Sequence, residues 1–365
     1  MKNLWTCIIL MMIIKPDHLQ ETKAIKPASM QPVKNIFIVT IDGFRWQEIF
    51  NGADSILISD EKYTTDTATM KLLYWASSFE ERRKRLMPFF WNVLAAKGQI
   101  FGNRNFNNKV NVANAYAISY PGYNEIFTGT TDPSVSSNDK DQNPNINILE
   151  LLNAREGFKG KVAAFTSWDV FPYILNEKRN GLPVNSGYEN FEDSNNAAQR
   201  LINKVQTEVK NKEATRHDEL TFLTAKEFLQ HHETRVLFLG FGETDEFAHK
   251  EQYDLYLQQA SKLDRMIADL WYWVQSTPGY KDNTLFIITT DHGRGSKKNK
   301  WSQHGSFIKG SSETWLAVMG PGIKPTGEIK KEEQLYEVQI AQTIASLLGE
   351  EFISDQPMAS AVSFK

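Results

Sequence analysis

Short, unbroken apolar runs separated by longer amphipathic stretches organise most of this chain. The first run, Asn35-Ile36-Phe37-Ile38-Val39-Thr40-Ile41, is followed by similar β-rich runs over residues 161–166, 235–240, 284–290 and 315–319. Apolar residues at helical spacing fill residues 87–97, 196–231, 253–275 and 334–348. A strand with one wet face alternates apolar and polar residues, so a continuous apolar run predicts burial on both faces. Runs alternating with helices predict an α/β fold whose mainly parallel central sheet is covered by helices on both faces. The Asn-, Asp- and Ser-rich residues 134–145 read as a surface loop. Trp271 and Trp273 fall on an amphipathic helix and are expected to pack in the core or against a neighbour. His231 and His232 end a long polar helix and are expected to satisfy its last carbonyls.

The first residues carry a different pattern. Met1 and Lys2 precede an apolar run over residues 4–14 that stops at Lys15 and Pro16. Such a run is too short to span a bilayer and fits a secretory signal. The expected organisation is a signal peptide with the start of a linker over residues 1–22, then one catalytic domain over 33–365. The protein is expected to be exported, to a periplasm or beyond, with no transmembrane domain besides the signal. Cys7 is the only cysteine and lies within that signal. A mature chain would then have no disulfides and no thiolate ligands, so any metal site must use Asp, Glu, His and hydroxyls. The net charge of −3 offers no basic footprint for nucleic acid. A small phosphorylated substrate remains compatible, because bound metal can carry positive charge locally.

Three aspartates fall at or just beyond the C-terminal ends of expected strands: Asp42 in Thr40-Ile41-Asp42-Gly43, Asp245 before Glu246-Phe247-Ala248-His249, and Asp291 beside His292. Ligands of open parallel sheets bind at that edge. Asp245 and His249, spaced i, i+4, share one side of a helix, as two ligands of one metal must. His304 follows in Ser302-Gln303-His304-Gly305. Three of the chain's seven histidines lie in these motifs. Ser119, in Ser119-Tyr120-Pro121-Gly122-Tyr123, stands at an expected helix start, where backbone N–H groups favour anions. Taken singly, each has a plain structural reading: turn, helix cap or surface pair.

In this order the residues resemble the alkaline phosphatase superfamily, and within it the branch of type I phosphodiesterases and nucleotide pyrophosphatases. The resemblance runs from Asn35 to Leu348 and includes Gly320-Pro321-Gly322-Ile323-Lys324-Pro325, which is similar to a late strand and turn of the family. It implies an alkaline-phosphatase-like sandwich holding two divalent metal ions, Zn²⁺ or else Mn²⁺. Asp42, Asp291, His292 and the Ser119 oxygen would bind one ion. Asp245, His249 and His304 would bind the other and leave it open to substrate. Ser119 would be the nucleophile of a phosphomonoesterase or phosphodiesterase acting through a phosphoseryl intermediate.

One departure bears on the substrate. Sulfatases that form formylglycine carry a C/S-x-P-x-R core, and here Tyr123 stands where that arginine is required. Relatives with phosphodiesterase activity often carry threonine at the position of Ser119. Arg45, Asn124 and Trp168 are candidate substrate contacts, and Arg294 lies close enough in sequence to the ligands to touch phosphate. The alternatives are a phosphomutase-like metalloenzyme, a sulfatase-like hydrolase and a non-catalytic, metal-stabilised binding protein.

Overall fold

A computed structural model describes residues 32–191, 194, 196–354 and 356–364; the expected signal peptide lies outside them. Its strands are β1 (Asn35–Ile41), β2 (Gly98–Phe101), β3 (Asn108–Asn111), β4 (Val162–Thr166), β5 (Val184–Ser186), β6 (Val236–Phe241), β7 (Thr284–Thr289), β8 (Glu313–Thr314), β9 (Leu316–Met319), β10 (Gly327–Glu328) and β11 (Glu333–Tyr336). Eight of them form one sheet in the order β10-β2-β9-β7-β1-β6-β4-β5, and β11-β3-β8 form a small second sheet. Within the large sheet only β9 runs antiparallel to its neighbours. The fold is α/β with a large, mostly parallel sheet flanked by helices, as the apolar runs predict.

Continuous apolar strands have a direct consequence for packing. In β1, Phe37, Val39 and Ile41 enter one core cluster, while Ile36 and Ile38 enter another. The same split divides Leu237 and Leu239 from Val236 and Phe238 in β6. Alternate side chains leave a strand on opposite faces, so two buried clusters mean that both faces are covered. Trp271 belongs to the first cluster and Trp273 packs against it. Among the described residues, no helix is long and apolar enough to cross a membrane.

Two helical expectations need correction. Residues 196–231 form two helices, Ala197–Glu208 and Asp218–His231. The intervening segment returns to the sheet edge, where Thr215 bridges Trp168. There the buried Arg216 guanidinium donates to Asn185 Oδ1 at 2.7 Å, Gln206 Oε1 at 2.9 Å and the Thr166 carbonyl at 3.1 Å. Residues 334–348 begin as strand β11, and the helix starts only at Ile340. The long polar helix ends as expected, with His232 Nδ1 on the Phe228 carbonyl at 3.0 Å. His231 instead pairs with Glu227.

Candidate active site

The site is built where three neighbouring parallel strands end. Sheet order places β1 between β6 and β7, so Asp42, the helix Glu243–His249 and Asp291 emerge side by side. Gly43, at φ +57°, turns the chain immediately after Asp42; a Cβ there would lie 2.5 Å from Asp245 Oδ1. No other residue fits that corner without displacing a carboxylate. The helix Ser119–Thr128 crosses the same edge: a Cβ on Gly122 would lie 2.2 Å from the Asp291 carbonyl. Ser119 is its first residue. Just ahead of it, Ala117 holds φ +48°, a left-handed conformation costing about 1 kcal/mol for a residue with a Cβ. Asn114 Oδ1 compensates by accepting the Ala117 N–H at 2.8 Å.

Two groups of side chains converge there. Asp42, Asp291 and His292 are buried, and a ligand atom from each lies within 4.8 Å of the others. His292 Nε2 stands 3.2 Å from Ser119 Oγ, 3.6 Å from Asp42 Oδ1 and 3.5 Å from Asp291 Oδ2. Its Nδ1 donates to the Gly293 carbonyl at 2.9 Å, which leaves the Nε2 lone pair facing the carboxylates. Tyr123 donates to Asp42 Oδ2 at 3.1 Å, and the Gly43 N–H to Asp291 Oδ1 at 3.0 Å. The remaining oxygens, Asp42 Oδ1 and Asp291 Oδ2, are buried without a hydrogen-bond partner. Buried acceptors pointing at a third acceptor are destabilising unless something positive lies between them.

The second group, Asp245, His249 and His304, is more open, with His249 exposed. His249 Nε2 lies 3.0 Å from Asp245 Oδ2 and 3.0 Å from His304 Nε2. The rings of His292 and His304 stack at 4.0 Å and link the groups. Carboxylate, imidazole and hydroxyl donors without sulfur are a set that suits Zn²⁺ or Mn²⁺.

The electrostatics follow from burial. Asp42 is pushed well above the ordinary carboxylate range by desolvation, then by Asp291 and Asp245. Burial drives Asp291 up to about 7. It lowers His292 to about 4 and His304 to about 2, so both imidazoles are neutral. Burial also acts to raise Asp245, but Arg294, the His249 hydrogen bond and His304 outweigh it and hold this carboxylate well below its ordinary value. Arg294 is the residue that the sequence pattern undervalued. It is almost fully buried, donates to Asp245 Oδ1 at 2.5 Å, and is further held by the Ser302 carbonyl. Its place two residues after His292, on the same strand exit, was the available signal.

The candidate substrate contacts are placed elsewhere. Arg45 is buried, with Nε on Glu48 Oε2 at 2.8 Å and Nη1 on the Gly295 carbonyl; it ties two segments together and does not face the site. The Asn124 amide is consumed by Thr130, Asn143 and Asn145 and fastens the 130–145 loop. Trp168 is half-buried at the end of β4, edge-on to Phe171 at 6.3 Å, which is a packing role. The expected amides at the start of the Ser119–Thr128 helix are also largely spent. Tyr120 N–H goes to Asn138 Oδ1, Pro121 has none, and Gly122 N–H bonds the Ile118 carbonyl.

A reciprocal cap holds the helix that carries Asp245 and His249. Buried Asp218 accepts the Gly242 N–H at 2.8 Å and the Glu243 N–H at 3.2 Å. Glu243 in turn accepts the Asp218 N–H at 2.7 Å. Each carboxylate thus caps the helix that the other begins, and Ser167 and Gln259 add donors to Asp218. Removing these acceptors with Asp218→Ala is expected to cost about 2–4 kcal/mol, since caps and buried donors are each worth 1–3. Asp218→Asn, which keeps one acceptor, should recover at least half. Urea denaturation of the three proteins checks this.

The chain belongs to the sulfatase family, whose model matches residues 34–350. With its fold, this places it in the alkaline phosphatase superfamily, and it is a sulfatase/alkaline phosphatase superfamily hydrolase. Alkaline phosphatase PafA is similar at TM-score 0.59 and 12% identity, covering 91% of this chain and 99% of that one. The lipoteichoic acid synthase LtaP from Listeria monocytogenes gives 0.56 and 14%, covering 87% and 72%. BT1596, a 2-O GAG sulfatase, gives 0.57 and 13%, covering 90% and 73%. At these identities the likeness is one of fold. No curated protein sequence matches the chain.

Proposed function

We propose that this hydrolase acts on phosphate esters, with Ser119 as nucleophile and with two divalent ions held by the converging groups. One observation carries the reading: Ser119 Oγ stands at a helix start 3.2 Å from His292 Nε2, between two carboxylate–imidazole groups with orphaned buried oxygens. Asp42, Asp291, His292 and Ser119 would hold one ion, and Asp245, His249 and His304 the other. When bound, such ions supply the positive charge that favours an ionised hydroxyl and offsets the charge of a phosphoryl group.

The chain's own residues do the rest. Ser119 Oγ forms a bond to phosphorus as the bond to the leaving oxygen breaks; water then releases the phosphoseryl group and restores the hydroxyl. Tyr123 and the Gly43 N–H fix the rotamers of Asp42 and Asp291, and Arg294 fixes Asp245. Arg294 also returns a positive charge against the three aspartates, which makes the site more attractive to a dianion than the ligand set alone. The preference for phosphate over sulfate rests on the nucleophile segment. Tyr123 occupies the place of the arginine that formylglycine-forming sulfatases need, and its hydroxyl is committed to Asp42.

The test is direct. Protein stripped with chelator and restored with Zn²⁺ or Mn²⁺ is expected to hydrolyse p-nitrophenyl phosphate or bis-p-nitrophenyl phosphate, and to hold near two metal equivalents by elemental analysis. Turnover of p-nitrophenyl sulfate alone, or of no ester under any metal, overturns the proposal. We also propose export: the charged start and short apolar run within residues 1–22 support it, and secretion of a fusion to that segment tests it.

A further inference from the structure

Between His292 and Ser312 the sequence contains no Asp or Glu, yet it contains Arg294, Lys297, Lys298, Lys300 and Lys309. In a chain of net charge −3 this is a local reversal of sign, and it falls on the segment that carries His304. The fold gathers these cations. Ser296 N–H bonds the Lys309 carbonyl at 3.1 Å, Gly295 N–H bonds the Gln303 carbonyl at 2.8 Å, and Lys300 N–H bonds the Lys297 carbonyl at 2.9 Å. A Cβ on Gly295 would lie 2.1 Å from the Lys300 carbonyl, and one on Gly310 would lie 2.5 Å from the Arg294 carbonyl. The loop is therefore clasped on itself by backbone too close for side chains. Its other side rests on the nucleophile's approach: His304 Nδ1 lies 3.4 Å from the Ala117 carbonyl, and Ser306 Oγ 3.5 Å from that of Tyr116.

Most of this charge is uncompensated. Lys298 is paired with Asp60 at 2.5 Å. Lys300 reaches only the neutral Gln303. Lys297 and Lys309 are exposed and have no acidic partner among the described residues. The nearby Glu251 is engaged by Lys62 at 2.8 Å. Buried Arg294 is neutralised by Asp245, so the free cations are the exposed lysines of the loop that carries His304. Uncompensated ammonium groups beside a cleft raise the local concentration of anions and slow their escape.

We infer that the clasped loop of residues 295–310, through Lys297, Lys300 and Lys309, is a subsite for a second anionic group on the substrate, beyond the ester that reacts. The preferred substrates are then oligoanions: molecules carrying a further phosphate, sulfate or carboxylate at a distance from the scissile bond. This deepens the phosphate-ester reading and rests on it. Exposed ion pairs are individually weak, so three lysines together should give about a tenfold preference.

The experiment uses two esters that differ by one anion: the p-nitrophenyl ester of thymidine 5′-phosphate, and the same ester bearing a 3′-phosphate. Each is measured as a substrate, or as a competitive inhibitor of p-nitrophenyl phosphate hydrolysis if it is not turned over. Wild-type protein is expected to favour the doubly anionic ester about tenfold at low salt, and the preference should shrink as ionic strength rises. In K297Q/K300Q/K309Q the ratio should fall to near one. In Lys281→Gln, at the opposite end of β7, it should stay as in wild type. A wild-type ratio near one, or a ratio untouched by the triple substitution, overturns the subsite. Failure of all phosphate esters would instead overturn the parent reading. Phe307, 99% exposed within the same loop, would also suit a lipid surface. Co-sedimentation with phosphatidylglycerol vesicles that is lost in the triple variant, together with a ratio near one, assigns the loop to membranes and overturns the substrate proposal.

Discussion

Replacing Ser119 with alanine is expected to lower kcat for p-nitrophenyl phosphate by at least about a thousandfold, because removal of a covalent nucleophile abolishes the two-step route. The structure says why this loss should be chemical and not structural. Ser119 opens its helix but does not cap it: the cap position is Ile118, and no side-chain cap bond is made. Among the described residues the Ser119 hydroxyl has one hydrogen-bond partner, His292 Nε2. Alanine neither creates a large cavity nor strands a buried donor, so Tm should move by no more than about 1–2 °C. Metal content should remain near wild type, since six of the seven proposed ligands are untouched. Ser119→Thr keeps the hydroxyl and should retain far more activity than Ser119→Ala. Undiminished hydrolysis in Ser119→Ala would remove the nucleophile assignment.

How much of this was legible depended on whether a residue's neighbours are fixed by local geometry. The strands β1, β4, β6, β7 and β9 were readable because each is buried on both faces and so writes a continuous apolar run. The short strands wrote nothing comparable. In β11 the burial alternates between partly buried, exposed and buried, and four such residues are indistinguishable from the first turn of a helix. The split of 196–231 was hidden because Arg216 looks like an ordinary solvated helix residue until Asn185 and Gln206 are placed around it. Within the site, the three aspartates follow strand ends, which is why the sequence could bring them to one edge, while their division into two ligand groups came from the family resemblance. Arg45 misleads because the left-handed turn at Gly43 sends the following chain into the core. Asn124 misleads by helix phase. At 100° per residue it points well away from Ser119, whereas Tyr123, four residues on, shares the face and does reach Asp42. That spacing could have found Tyr123.

Asp291 yields the second large effect, one whose sign should reverse with metal. Consider first the protein freed of divalent ions by chelation. Asp291 titrates near 7 in the fold, against 3.8 when unperturbed. Below 3.8 both states hold the proton and no penalty exists. Between 3.8 and about 7 the unfolded chain has released a proton that the folded chain retains, so stability falls as pH rises, by about 1.4 kcal/mol per unit. Buried His292 and His304, whose folded values are depressed, act oppositely as pH falls below 6.5, so the wild-type curve alone conceals the carboxylate. Comparison with Asp291→Asn isolates it, because asparagine keeps an oxygen for the Gly43 N–H and has no proton to lose. In metal-free protein at pH 7–8, Asp291→Asn should be the more stable form, by up to about 4 kcal/mol, and the difference should vanish near pH 4. With Zn²⁺ or Mn²⁺ restored, the order should invert. Ligand present at a thousand times its dissociation constant stabilises by about 4 kcal/mol, and the variant loses part of that affinity. Thermal or urea unfolding of both proteins, with and without metal, decides the matter. A variant that is less stable than wild type under every condition would mean that Asp291 is held by the fold itself and not poised for a cation.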